Sequence, residues 1–558
     1  MSIIIFDIGG TGARCAAAGL FTLTAAERAA ERFPKLGNKV IHWHIDKDDT
    51  NGTGKRSRDV IKSYGNMAAS LGSDFKAYSV SYEQWNINDA ADNPNASLQA
   101  VFTAGGNKRL LDTLFSTDDQ KRQLSNGFEQ RPALGSIYFE RIKEKLDDEL
   151  SLVLGEANSS ETIAVFIMGS AFGGSGASMI HNLARYVRKY ADDNGWGNVK
   201  IGGTMLLPYF EIPPLKDSER RDRKAKGKFV LTTDELTTAA QKALYYYGNM
   251  DGFVGEMREE ETVGHFDAFY PIGMHPLCNN IAPNASNLTP AHFRDGKSIQ
   301  ESAFSITDLI AAQALCDFLQ RANDDTLAPE KDLRNIFIAT LGRYPFRVIE
   351  WNNLPDSEAL KKRLLAMTKF ALFVTTFVYP EFRAKLDVKD KKGLKDNWYA
   401  ARFDGNYQGT EQTLYRVFDF CLEYLKFIQE VAGTVKNGKV PMCELFDVAS
   451  LNSVIASLEL FINTKTTDDQ RNKQYNGIRD AAGADDGGLF NDQSGGLLKK
   501  AAKAKVPSTV AYSFESVRTA VENAMPKPKA MKRKENRATE LFRVIFEQCA
   551  ILTEEESK

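Results

Sequence analysis

Ser2-Ile-Ile-Ile-Phe6 and the residues that follow it, Asp7-Ile-Gly-Gly-Thr-Gly-Ala-Arg14, decide the fold. A run of β-branched residues is typical of a buried strand. After the glycines, alanine and leucine recur between residues 13 and 20 at i, i+3, i+4 and i+7, which is the spacing of one helix face. The sequence therefore predicts a strand, a glycine loop and a helix, in that order.

The same design occurs a second time. Thr162-Ile-Ala-Val-Phe-Ile-Met168 has the composition of a buried strand, Gly169-Ser-Ala-Phe-Gly-Gly-Ser-Gly176 is a glycine loop, and helical spacing resumes over residues 180–187. Between the two units, residues 39–45 predict another strand, which ends in the acidic turn of residues 46–52. Alternating strands and helices indicate an α/β fold with a parallel sheet.

Glycine loops between a strand and a helix suit phosphate groups, because backbone N–H groups stay unshielded at the positive end of the helix. Two such loops in one sheet predict that the chain binds a nucleotide. Gly52-Thr-Gly-Lys55 is not a G-x-x-x-x-G-K-[ST] loop, since the upstream glycine is missing. Cys15 interrupts a G-x-G-x-x-G pattern in the first loop, which counts against a dinucleotide fold. Asp46 lies beyond the second strand, where such a fold has its ribose-binding acid, so this alternative stays open.

Composition excludes several classes of protein. The 558 residues include 71 basic and 73 acidic side chains, which gives a formal net charge of -2 and no electrostatic reason to expect nucleic acid as a partner. The six cysteines form no C-x-x-C pair, which favours a reducing compartment. The first residues carry no signal sequence, and no apolar run reaches about 18 residues, so we expect a cytoplasmic chain without a transmembrane segment.

The remaining sequence predicts a long central helix over residues 301–319 and a strand over 335–341, where a second α/β layer would begin. Helical patterns dominate from about residue 355, the charged run at 216–228 predicts an exposed loop, and the glycine-rich stretch at 475–505 predicts a flexible loop. The domains expected are a nucleotide-binding domain (1–300), the central helix and its following loop (301–325), a helix-rich second domain (326–465) and a C-terminal extension (466–558).

His42 and His44 lie on one face of a predicted strand, the arrangement with which a metal site could begin. No third ligand is identifiable from the sequence, so we expect a structural role for both and no metal site. The basic segment at 527–537 is interpreted as an exposed tail rather than a binding surface.

Gly9-Gly-Thr-Gly-Ala-Arg14 together with Phe172-Gly-Gly-Ser-Gly-Ala-Ser178 resembles the paired phosphate loops of the tubulin/FtsZ superfamily, especially its divergent bacterial tubulin-like branch. Residues 127–135 resemble the loop that senses the γ-phosphate, and Pro208-Tyr-Phe-Glu211 resembles the strand end that follows the signature helix. The resemblance covers residues 1–325. Ser175 stands where that family usually has threonine, Ser178 where it has glycine and Phe172 where it has a small residue.

The resemblance implies that GTP or GDP binds with Mg²⁺, that GTP is hydrolysed, and that copies of the chain assemble into filaments. The C-terminal region would then carry any further protein partner. Asp324 and Asp325, in the loop after the central helix, would position the attacking water in a neighbouring copy's site. The implied nucleotide contacts are Gly9, Gly10, Thr11, Gly12, Ala13, Arg14, Arg131, Gly135, Gly173, Gly174, Ser175, Gly176 and Ala177 at the phosphates, and Asp46, Asn51 and Asp308 near the base.

Two other functions stay open. A protein of the same fold could bind nucleotide without hydrolysing it and act as a nucleotide-gated scaffold. The first loop is also similar to the D-x-G-G-T-x-x-R loop of actin/hexokinase-type sugar kinases, which would give a sugar kinase. Those kinases continue into a β-meander, whereas the alanine-rich residues 15–20 predict a helix.

Overall fold

A computed structural model gives the fold. The structure describes residues 1–24, 39–46, 52–81, 99, 108–121, 128, 132–157, 160–210, 212, 214–225, 232–248, 265–274, 303–325, 327, 339–341, 357–386, 397–403, 407–432, 435–436, 440–441, 448–463, 473–474, 477–478, 514–525 and 534–556.

The first half of the chain alternates between strands and helices, as the β-branched runs and helical spacings predict. It contains, in order, β1 (Ser2–Ile8), α1 (Gly9–Thr24), β2 (Lys39–Asp46), α2 (Gly52–Ser70), β3 (Phe75–Ser81), α3 (Lys108–Leu114), α4 (Thr117–Gln120), α5 (Pro132–Gly155), β4 (Ile163–Ser170), α6 (Gly174–Asp193), β5 (Val199–Leu206), α7 (Asp217–Ala225), α8 (Thr233–Gly248), β6 (Ala268–Met274), α9 (Ile306–Asn323) and β7 (Ala339–Leu341).

The described part of the second half is almost entirely helical. It contains α10 (Ser357–Phe373), a π-helical turn (Val374–Val378), α11 (Tyr379–Leu386), α12 (Trp398–Ala401), α13 (Glu411–Ala432), the two-residue strands β8 (Val435–Lys436) and β9 (Val440–Pro441), α14 (Val448–Asn463), α15 (Phe514–Ala524) and α16 (Lys534–Glu556). Pro380 explains the π-helical turn, because a proline inside a helix lacks the N–H group and crowds the preceding turn.

Seven strands form one sheet in the order β3-β2-β1-β4-β5-β6-β7, and every neighbouring pair is parallel. From β1 to β3, each new strand is added on one side of the sheet; from β4 to β7, each is added on the opposite side. β1 and β4 are therefore the neighbours at which the sheet reverses its direction of winding. In open parallel sheets, ligands bind in the crevice beyond the carboxyl ends of two such strands.

Buried side chains cover both faces of the sheet, as the continuous apolar runs predict. Ile3 and Ile5 of β1 join one hydrophobic cluster, which contains α1, α2, α9 and much of the helical second half. Ile4 and Phe6 join a second cluster with α5 and α6 on the other face. In the first cluster, Phe21 of α1 contacts three aromatic rings of α13, so the helices of the second half cover this face directly.

Two sequence predictions need correction. The charged run at 216–228 contains the exposed helix α7, because charged residues of both signs favour helix when no glycine or proline interrupts them. Residues 339–341 form the last strand of the same sheet instead of starting a second α/β layer. Among the described residues after them, the only strands are β8 and β9.

Other predictions are confirmed or shifted. The central helix begins at Ile306, not at 301, because Ser305 and Asp308 form a capping box there. β1 leads into α1 and pairs with β2 in parallel, so this part of the chain lacks the β-meander of the sugar kinases. Most of the glycine-rich stretch at 475–505 and of the basic segment at 527–537 lies outside the described residues. None of the helices described is both long and apolar enough to cross a membrane.

Candidate functional site

The two glycine loops meet where the winding of the sheet reverses. The first follows β1 and begins α1, and the second follows β4 and begins α6. The loops lie side by side, since a Cβ atom placed on Gly9 would be 3.6 Å from Cβ of Ser175. This is the crevice in which open parallel sheets bind their ligands.

Glycine is required at several of these positions, either for its backbone conformation or because a side chain would have no space. Gly9 has a φ of +73°, which residues with side chains rarely adopt. A Cβ atom on Gly12 would lie 2.5 Å from the carbonyl oxygen of Met168, and one on Gly176 would lie 2.7 Å from the backbone nitrogen of Ser170. Gly12 and Gly176 therefore allow α1 and α6 to start in close contact with the ends of the strands.

The loop tips are the accessible part of this region. Residues 9–11 and 173–175 are partly exposed, whereas β1, β4 and the residues that follow each tip are buried. Both tips form the first turn of a long helix or lead directly into it, and the N–H groups of a first helical turn have no partner within the helix. The site therefore presents two sets of backbone donors and two positive helix ends to the same space.

A third helix start packs against the second loop. A Cβ atom on Gly135, in the first turn of α5, would lie 2.2 Å from Oγ of Ser178. That hydroxyl donates to the carbonyl oxygen of Gly174 at 2.8 Å. Ser178 thus fits only because residue 135 has no side chain. Arg131, the other predicted contact in this segment, lies outside the described residues.

Phe172 does not enter the crevice. Its ring is 6% exposed and packs against Tyr209 and Phe210, with centroid distances of 6.1 and 5.7 Å. The bulky side chain therefore fixes the second loop to the segment after β5.

Arg14 and Asp308, both predicted as nucleotide contacts, lie next to each other in the core. Arg14 Nε donates to Oδ2 of Asp308 at 2.8 Å, and its guanidinium also donates to the hydroxyl of Tyr209. Asp308 additionally accepts from the backbone N–H of Ser305 at 2.7 Å. Burial lowers the pKa of Arg14, but Asp308, Tyr209 and Cys15 together raise that pKa by more, so the guanidinium stays charged. The structure thus joins α1 to the start of α9 through these two side chains.

Asp46 lies at the end of β2 and is 7% exposed. Its Oδ2 would be 3.9 Å from a Cβ atom on Gly54, which places the carboxylate beside the first turn of α2. Asn51 lies outside the described residues. A role for Asp46 at the base or the ribose therefore stays a prediction.

A buried network of side-chain hydrogen bonds, which the sequence did not predict, lies beneath the first loop. Both carboxylate oxygens of Asp7 are occupied, one by Nε2 of His42 and the other by Nδ1 of His44. Nε2 of His44 lies 3.2 Å from the guanidinium of Arg58 on α2. The network ties the end of β1, where the chain turns into the loop, to β2 and α2. The signal available in the sequence was an acid two residues before the glycines and two histidines at alternate positions of the neighbouring strand.

This network makes stability depend on pH. Burial raises the pKa of Asp7, but His44 and His42 lower it by more, to about 2. Burial lowers the pKa of His44, yet the Asp7 carboxylate reverses this effect, so the pKa of His44 is raised from 6.5. The Asp7 contribution is therefore present above pH 3.8 and lost as the pH falls through about 2. The His44 contribution is complete below pH 6.5 and lost as the pH rises through its folded-state pKa.

Asp7→Asn is expected to reduce the free energy of unfolding at neutral pH by about 2–3 kcal/mol and to flatten its pH dependence. Urea unfolding of both proteins from about pH 3 to about pH 9 measures this. Asp192→Asn, on the exposed surface of α6, is the control and should leave the profile unchanged. Parallel pH profiles for wild type and Asp7→Asn would contradict the role given to the network.

The predicted catalytic residues lie at the other end of α9. Asp324 caps its C-terminus, and Asp325 follows with its side chain 80% exposed and 3.3 Å from Nζ of Lys200 at the start of β5. Asp324 is 16 residues after Asp308 on this helix, which separates the two by about 24 Å. The two carboxylates therefore lie near the amino edge of the sheet, far from the glycine loops of the same chain.

A groove of about 880 Å³ runs between α2 and α13, and charged side chains of both signs line it. None of the residues predicted as nucleotide contacts or catalytic groups is among those lining it.

No protein-family model matches this chain, and no curated protein matches it in sequence. A solved structure of CetZ from Methanosaeta thermophila strain DSM 6194 aligns with 60% of the chain at 12% sequence identity and a TM-score of 0.28. The alignment covers 61% of that structure. A likeness this loose does not establish a common fold or a common function.

Proposed function

We propose that this chain binds GTP between its two glycine loops and hydrolyses it when copies assemble. The observation that carries the proposal is the meeting of the loops that follow β1 and β4, at the place where the sheet reverses its winding. Two helix starts converge there, and the first N–H groups of a helix have no partner within the helix itself. Such an arrangement binds phosphate groups. The choice of GTP and of assembly comes from the resemblance of the loop sequences to the tubulin/FtsZ superfamily.

In this proposal, the backbone of residues 9–13 and 173–177 holds the phosphates. These donors are fixed by the packing of Gly12 and Gly176, so they need little reorganisation when charge develops during phosphoryl transfer. Mg²⁺ bound with the nucleotide would add further neutralising charge. Gly135 would support the second loop through Ser178 rather than touch the ligand.

Hydrolysis in this proposal needs a second copy of the chain. Asp324 and Asp325 are separated from the glycine loops of their own chain by the length of α9, and Asp325 is open to contact from outside. In a neighbouring copy's site, these carboxylates would orient a water molecule. Its oxygen bonds to the γ-phosphorus while the bond to the bridging oxygen breaks, GDP leaves with the electron pair, and the water's proton passes through the carboxylate to solvent.

The test is equilibrium titration of the purified protein with fluorescent GTP and ATP, sedimentation of the same samples, and phosphate release measured against protein concentration. We expect GTP to bind more tightly than ATP, polymer to sediment, and the rate per molecule to rise with protein concentration. Asp324→Asn with Asp325→Asn should keep binding and sedimentation but lose phosphate release. The control is Asp192→Asn with Asp193→Asn, which changes two adjacent exposed aspartates at the end of α6.

Two outcomes would count against this function. Equal or tighter binding of ATP without polymer would contradict it directly. GTP binding with no phosphate release at any concentration would support a non-hydrolysing, nucleotide-gated scaffold instead.

A further inference from the structure

Asp325 has an unusual backbone conformation. Its φ is +51°, and no other non-glycine residue described by the structure has a positive φ. The position just after a helix end commonly takes this conformation, but glycine or asparagine is the usual residue there. Residues with a side chain in the left-handed region are enriched at functional sites, where the surrounding structure holds them in place.

Lys200 supplies a second restraint. It is the second residue of β5, a strand that lies between β4 and β6 in the sheet. There it pairs in register with Ala164 of β4. Its Nζ lies 3.3 Å from Oδ1 of Asp325, and the lysine side chain is 21% exposed against 80% for the aspartate. A carboxylate this exposed gains little stability from an ion pair. The contact therefore adds little to the stability of the fold, and its structural effect is to place Oδ1 of Asp325 beside the start of β5.

We propose that Lys200 is a positioning residue for Asp325. By holding Oδ1, it leaves Oδ2 to meet the water molecule in the neighbouring copy's site, in an orientation set by a rigid strand. This inference rests on the proposed function, because it assigns Lys200 a part in the same hydrolysis. Lys200 does not touch the nucleotide of its own chain, since β5 begins at the edge of the sheet opposite the glycine loops.

The experiment compares wild type, Lys200→Gln, Lys200→Arg and Lys39→Gln in GTP binding, sedimentation and single-turnover phosphate release from the polymer. Lys39 is the matched control, because it also begins a strand at the amino edge but pairs with Glu156 and Asp74. Lys200→Gln should release phosphate about 10- to 100-fold more slowly, the size of effect that a misplaced catalytic group produces. Its nucleotide affinity and its polymer yield should stay within about twofold of wild type.

Two further comparisons separate positioning from a general effect on structure. Lys200→Arg should restore most of the rate, and Lys200→Gln should have no added effect in an Asp325→Asn background. The inference would be overturned if Lys200→Gln left the rate of phosphate release unchanged. It would also be overturned if Lys200→Gln lowered that rate by the same factor in the wild-type and Asp325→Asn backgrounds. Either result would leave the proposed function intact. Absence of assembly-dependent phosphate release in wild type would overturn both.

Discussion

Asp308→Asn is expected to lower the free energy of unfolding by about 3–5 kcal/mol, because it leaves the guanidinium of Arg14 buried without a counter-charge. Arg14 and Asp308 are 3% and 0% exposed, so water cannot replace the lost partner. The same carboxylate also accepts from the backbone N–H of Ser305 and so helps to start α9. Urea unfolding followed by circular dichroism measures the loss.

A control for this prediction lies on the same helix. Arg321 pairs with Asp317 at the same 2.8 Å distance, but both side chains are more than a third exposed. Arg321→Met should therefore cost less than about 1 kcal/mol. Similar losses in Asp308→Asn and Arg321→Met would contradict the view that burial makes the Arg14 pair critical.

A double variant decides whether the same pair also takes part in nucleotide binding. Arg14→Met with Asp308→Leu removes both charges together, and it should be more stable than Asp308→Asn alone because no buried charge is left unpaired. We expect its GTP affinity to be unchanged, since the two side chains satisfy each other inside the core. A stable double variant with lost affinity would instead support their prediction as nucleotide contacts.

Gly174→Val is expected to weaken nucleotide binding at least about 100-fold, which corresponds to about 2.7 kcal/mol. Gly174 is the first residue of α6 and is partly exposed at the tip of the second loop. A branched side chain there would keep phosphate oxygens away from the N–H groups of the helix start, and two charge-assisted hydrogen bonds account for a loss of this size. The titration with fluorescent GTP measures it directly.

The matched control is Gly197→Val, at the turn that precedes β5 and far from both loops. A Cβ atom on Gly197 would meet nothing within 4 Å, so its own substitution should leave both stability and nucleotide affinity close to wild type. Unfolding curves for Gly174→Val then show whether the variant is folded. A folded Gly174→Val with unchanged affinity would place the nucleotide elsewhere.

The sequence predicted the elements around the two loops well because they depend on local physics. β-branched runs, glycines and alanines specify strand, turn and helix within about ten residues of one another. Residues 2–24 and 163–193 accordingly show the predicted order of strand, loop and helix. The meeting of the two loops was also implied once both were assigned to one parallel sheet.

The missed features depend on contacts between distant parts of the chain. Arg14 is 294 residues from Asp308, and no local pattern shows that the two charges neutralise each other. The partners of Asp7 require the register of β1 against β2, which sets His44 directly opposite it. Residues 339–341 were assigned to a second layer because a short apolar run does not reveal which sheet it joins.

The contact between α1 and α13 has a consequence for synthesis. Phe21 stacks on Phe427 with ring centroids 5.0 Å apart, so the first helix to leave the ribosome packs against one made about 400 residues later. At about 5–20 residues per second, roughly 20–80 s pass between the two. During that interval the apolar face of α1, next to the glycine loop, has not yet met its permanent neighbour. The glycine loop that begins α1 therefore acquires its final packing only after translation has passed α13.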